Sequence, residues 1–132
     1  MAANKISFDL VSPEKLLLSA EADMVTVPGT EGYMGVMAGH APVVTTLRAG
    51  MIDVLTDGKD DRYFIRGGFA EIGPAKVTVL AEEALPMTEL DLAVLDQRIK
   101  DAQEDEMSAE TDAERQRAAQ LVDDLKLVRA AF

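Results

Sequence analysis

The sequence has no cysteine and a single histidine, His40. Without thiols there is neither a disulfide framework nor a thiolate metal site, and one imidazole excludes multi-histidine metal centres. The N-terminal MAANKISFDL lacks a basic stretch followed by a long apolar run. No segment approaches the ~20 apolar residues that a membrane-spanning helix needs. Basic residues are scarce: 13 Lys and Arg stand against 24 Asp and Glu, a formal charge of −11. Such a surface repels phosphate backbones, so no nucleic-acid partner is expected. The acid is spread along the whole chain, as a solvated surface would be. A chain of 132 residues is long enough for a real core, burying roughly two-thirds of its unfolded surface.

Two hydrophobic periods divide the chain. From Lys5 to about Leu85 the period is two: Ile6, Phe8 and Leu10 alternate with polar neighbours, as do Val25 and Val27, Ile52 and Val54, and Val77 and Val79. Turn signals at Ser12-Pro13, Pro28-Gly29, Asp57-Gly58, Gly67-Gly68 and Gly73-Pro74 separate these runs. Short, evenly punctuated strands predict an all-β N-terminal sandwich or flattened barrel over residues 1–86. Asp57-Gly58, with Lys59 to Asp61, reads as a hairpin tip, and Gly67-Gly68 as a bulge or a close backbone approach.

Beyond Pro86 the period becomes helical, predicting a C-terminal antiparallel α-helical hairpin over residues 87–132. Thr88 is the expected N-cap of the first helix, with Leu92, Leu95, Ile99 and Ala102 on one face. Thr111 and Glu114 form a capping box for the second, with Ala118, Leu121, Leu125, Val128 and Phe132 as its stripe. Gln103 to Glu110 reads as the polar connection between them. Both stripes are narrow and rich in alanine, so loose docking on the sandwich is expected, with a hinge at 83–87.

Residues 28–50, PGTEGYMGVMAGHAPVVTTLRAG, hold five of the nine glycines and the only histidine. No nucleophile and base are paired there, and neither GxxxxGK[ST] nor GxGxxG is present, so no phosphate cradle is predicted. His40 has no Asp, Ser or Cys within several positions to complete a relay, which favours a turn or interface role. The pairs Asp60-Asp61, Glu82-Glu83 and Asp123-Asp124 read as wet surface, because sequence neighbours point different ways. Tyr33, Met34, Val36 and Met37 either present soft side chains to a partner or plug one end of the sandwich. Two other functions fit the bare pattern: a small-molecule-binding β-sandwich, or a small jelly-roll enzyme using His40.

The ordered set Ser12-Pro13-Glu14, Pro28-Gly29, Glu31-Gly32, Gly35-Val36, Gly39-His40-Ala41-Pro42, Thr46-Leu47, Gly50 and Arg66-Gly67-Gly68-Phe69 resembles the epsilon subunits of bacterial rotary (F-type) ATP synthases. A following Val77-Thr78-Val79-Leu80 strand and two helices keep the resemblance along essentially the whole chain. It implies a non-catalytic rotor subunit. The sandwich would clamp the gamma subunit of the central stalk and sit on the c-subunit ring, at the cytoplasmic face of the bacterial inner membrane, coupling ring rotation to ATP synthesis. By the same resemblance Glu31, Tyr33, Met34 and Val36, with the His40 and Pro42 corner, would meet the ring. Arg115, Arg117, Lys126 and Arg129 of the second helix would meet the catalytic alpha and beta subunits and impede hydrolysis, although Asp123 and Asp124 interrupt that basic face. Some family members bind ATP through an (Ile/Leu)-Asp-x-x-Arg-Ala motif. Here it degenerates to Leu90, Asp91 and Val94 followed by Leu95, with Arg98 one turn later, so no cofactor is expected.

Overall fold

The structure, a computed structural model, describes residues 4–132. Alternation builds the first strands: β1 (Ile6–Val11) buries Ile6, Phe8 and Leu10 and turns Ser7 and Asp9 outward. It pairs with β2 (Leu16–Ala22) antiparallel and with β7 (Lys76–Ala81) parallel. β3 (Met24–Gly29) and β4 (Gly32–Val36) form a hairpin, and β5 (Val43–Thr56) and β6 (Lys59–Ile72) form a longer one. The short β8 (Ala84–Pro86) pairs with the first half of β6, giving a sheet ordered β2-β1-β7-β6-β5-β3-β4 with β8 alongside.

This one sheet folds over into two layers because β5 and β6 change phase at their middles. In β5 the buried positions run Leu47, then Gly50, Ile52 and Val54; in β6 they run Phe64 and Ile65, then Ala70 and Ile72. One half of the pair therefore joins β7, β1 and β2, and the other joins β3, β4 and β8. The inward residues of both layers merge into one core, from Ile6, Phe8 and Val79 to Val25, Val36 and Ile52. The corner needs glycine. Gly68 has φ +134°, and a Cβ there would run into the Leu80 carbonyl oxygen and come within 2.8 Å of the Ala81 Cα. The close approach read from the glycine doublet is what the corner contains; the ladder across it keeps one register.

Asp57 (φ 52°) and Gly58 (φ 79°) supply the two left-handed residues of a two-residue turn between β5 and β6, as a tight right-twisted hairpin requires. Lys59 to Asp61 belong to β6, not to the turn, because Thr56 already pairs with Lys59.

Two compact units are present, one ending at Met87 and one beginning at Thr88. In the second, α1 (Leu92–Ser108) and α2 (Asp112–Arg129) lie antiparallel, since Arg129 near the end of α2 pairs with Asp96 near the start of α1 at 2.9 Å. The helices depart from expectation at four points. Asp91, not Thr88, caps α1: its carboxylate accepts the Ala93 N–H at 2.8 Å, while Thr88 lies in a 3-10 turn. An Asp placed two residues before a bare amide satisfies it and lies at the positive end of the helix dipole. The polar run from Gln103 mostly stays helical, leaving only Ala109 to Thr111 as the connection, because Gln, Glu and Met are good helix formers. The apolar stripes shift as well: Leu92 and Phe132 are exposed, whereas Val122 and Asp124 are buried beside Leu125 and Val128. Phe132 lies beyond the end of α2, and Leu92 stands in the first turn of α1. Thr111 caps α2 as expected, accepting the Glu114 N–H at 3.1 Å, but the Glu114 carboxylate accepts from Glu110, one residue outside the ideal box.

Candidate functional site

Thr30 and Glu31 form the turn between β3 and β4, closed by the facing pair Gly29 and Gly32. Glu31 is exposed at its tip. The residues after it are not on a loop, which corrects the expectation for Tyr33, Met34 and Val36. They belong to β4, an edge strand whose alternation is masked in sequence by Gly32 and Gly35. Val36 is fully buried in the core and Met34 packs against it. Val36 has no surface left for a partner, whereas Met34 is half-buried. Tyr33 faces outward at 44% exposure, and its hydroxyl accepts the Met51 N–H at 3.1 Å. Met37, just after β4, keeps the exposure expected of it.

The His40 corner is a turn tied down by backbone. Gly39 adopts φ +90° and donates its N–H to the Pro74 carbonyl at 2.7 Å, and the His40 N–H reaches the Met37 carbonyl at 3.2 Å. The imidazole Nδ1 lies 2.7 Å from the carbonyl oxygen of its neighbour Ala41, a local contact that fixes the ring and builds no relay. Pro42, Val43 and Val44 follow as an exposed apolar step. No group of three or more His, Cys, Asp or Glu is arranged to hold a metal among the described residues.

The expected residues of the helical unit are partly engaged within it. Arg115 pairs with Asp112 at 2.8 Å, and Arg129 with Asp96. Arg117 and Lys126 are exposed. Of the degenerate nucleotide motif, Leu90 is buried, Asp91 is engaged as a helix cap, and Val94 is 47% exposed. An aliphatic side chain offers a phosphate no hydrogen bond.

One surface escaped the sequence reading. Across β5, β6, β7, β1 and β2 the facing residues Thr46, Phe69, Leu80, Val11 and Leu16 form one rung on the outer side of the sheet. Phe69 is 46% exposed and Leu16 56%. A groove of about 660 Å³ runs along the rung, with Pro13 at its side. The next rung on that face begins with the exposed Val44 and ends in paired polar groups: Ser19 donates to Asp9 at 2.7 Å, and Lys76 pairs with Asp9 at 3.0 Å. Exposed apolar side chains lined up on a sheet face suit a protein contact. The available signal was apolar residues on both faces of a strand, Phe69 beside buried Ala70 and Leu80 beside buried Val79.

A charged clasp fixes the far end of the sandwich. Lys5 Nζ lies 2.8 Å from Asp23 and 2.7 Å from Asp57, and Asp23 also accepts the Asp57 N–H at 2.7 Å. Hydrogen bonding to Asp23 and then Asp57 raises the Lys5 pKa, and hydrogen bonding to Lys5 lowers that of Asp23.

A family model described as the ATP synthase delta/epsilon chain beta-sandwich domain matches residues 5–87. The ATP synthase epsilon chain of Parvibaculum lavamentivorans is 52% identical over 128 residues, covering 96% of this chain and 97% of that one. That of Maricaulis maris is 48% identical, covering 91% and 90%. Among solved structures, a chain of the Euglena gracilis mitochondrial ATP synthase, described as OSCP/F1/c-ring, superposes with a TM-score of 0.80 at 28% identity, covering 98% of this chain and 82% of that one. A chain from the central stalk and c-ring of the Tetrahymena thermophila enzyme shares the fold, with a TM-score of 0.68 at 13% identity and 96% of each chain covered. With the sandwich matched by that family model and nearly the whole chain by these epsilon chains, the chain belongs to the ATP synthase epsilon chain family.

Proposed function

We propose that this chain is a non-catalytic rotor subunit of a bacterial F-type ATP synthase, transmitting rotation of the membrane ring to the central stalk. Residues 1–86 bind the stalk and ring, and residues 87–132 regulate. The observation that carries this reading is the apolar rung of Phe69, Leu80 and Leu16 on a two-layered sandwich. A stiff body transmits torque because its packed core and hydrogen-bonded ladders resist shear, and the rung supplies the grip. The gamma subunit covers the rung. The Thr30-Glu31 turn and the His40-Pro42 corner face the c-ring, at the cytoplasmic side of the inner membrane. Arg117 and Lys126 of the hairpin reach acidic segments of the alpha and beta subunits and slow hydrolysis, a shift between two docked states. With Asp91 capping α1 and Val94 in place of arginine, the hairpin acts without sensing ATP.

Tagged chain captured from detergent-solubilised membranes brings down gamma, the ring and the catalytic subunits. Phe69→Asp combined with Leu80→Asp loses gamma while the chain stays folded. Retention of gamma by that double variant overturns the assignment of the rung.

A further inference from the structure

The Thr30-Glu31 turn stands where the ladder beneath it is interrupted. β3 pairs with β5 through Met24 to Thr26 and again at Gly29, with the register shifting between. Val27 and Pro28 thus stand opposite the longer stretch from Arg48 to Ile52. Proline has no N–H to give, and a broken ladder leaves neighbouring amides in need of acceptors. Two side chains cross the gap. Tyr33 extends from β4 so that its hydroxyl accepts the Met51 N–H at 3.1 Å, replacing a strand carbonyl. Arg48 extends from β5 and donates from Nη1 to the Thr30 carbonyl at 3.3 Å, holding the turn itself. Gly50 makes room for this arrangement. A Cβ there would lie 2.6 Å from the Tyr33 hydroxyl and 3.0 Å from the Pro28 Cβ.

We infer that Tyr33 and Arg48 are positioning residues that brace the β3–β4 turn, so that Glu31 is presented to its partner in one orientation. This rests on the reading that the turn is a partner contact. Tyr33 therefore works inward through its hydroxyl. A turn held before binding loses less conformational freedom on contact than a loose one.

The test uses the full chain and the reconstituted synthase. Tyr33→Phe keeps the ring and removes the acceptor, so hydrogen exchange at the Met51 amide rises about tenfold. Arg48→Ala broadens or shifts the Thr30 and Glu31 amide resonances and lowers the protons pumped per ATP hydrolysed. Arg48→Lys, which keeps a donor, restores both in large part. Unchanged exchange and unchanged turn resonances overturn the brace. Disordered resonances with full coupling also overturn it as a positioning device, and Glu31→Lys then locates the fault. If Glu31→Lys lowers coupling, the turn is a contact that needs no brace; if it does not, the contact reading has failed as well.

Discussion

Gly68 leaves no space for even one methyl group, because the Leu80 carbonyl occupies the position where a Cβ would stand and the backbone is at φ +134°. Gly68→Ala is expected to destabilise the sandwich by roughly 2–4 kcal/mol, since both overpacking and a left-handed backbone act at once. Urea denaturation checks this, and a loss under ~0.5 kcal/mol contradicts it. The Lys5 clasp gives a pH signature. Lys5 is raised above its ordinary 10.5, so its contribution is complete below that pH and is lost as pH climbs through the higher folded value. Asp23 is lowered beneath 3.8, so its contribution is complete above that pH and is lost as pH falls through the lower folded value. Stability curves of wild type and Lys5→Met should differ between these limits and converge beyond them; a constant offset across all pH values contradicts the clasp. At this scale the sequence disclosed residues whose role is backbone conformation, such as Gly68 and Gly58. It hid the hydrogen bond of Tyr33, whose partner amide lies 18 positions away, a contact created by a ladder interruption that no local pattern encodes.

The caps decide where the helices begin. Asp91→Ala removes the acceptor for the Ala93 amide and should destabilise the hairpin by about 1 kcal/mol, whereas Thr88→Ala should cost only a few tenths. Amide exchange at Ala93 separates the two, and a larger effect from Thr88 contradicts the observed start. Strands announced themselves where polar and apolar residues alternate, as in β1, β3 and β7. β4 did not, because two of its five residues are glycine. Its buried Val36 therefore looked like part of an exposed loop. The polar end of α1 was read as a connection for a related reason: a solvated helix of Gln, Glu and Asp carries little apolar periodicity. The Asp-Gly hairpin was the opposite case, since its turn chemistry permits one geometry.

For the molecule as a whole, the two-layered sandwich carries its own core, every fully buried member of which precedes Pro86. Truncation after Pro86 should therefore leave assembly with gamma and the ring intact while raising the rate of ATP hydrolysis, measured on membranes. An unchanged rate contradicts the regulatory role of the helices. The fold class and the change of period near Pro86 were legible because each part repeats one pattern many times. The Phe69–Leu80 rung was not, because it is assembled from five strands and exists only once the register is set. Mechanical coupling is tested by ATP synthesis driven by an imposed proton gradient in liposomes. Synthase depleted of this chain should synthesise little ATP and recover when the purified chain is added back; normal synthesis without it would contradict the account.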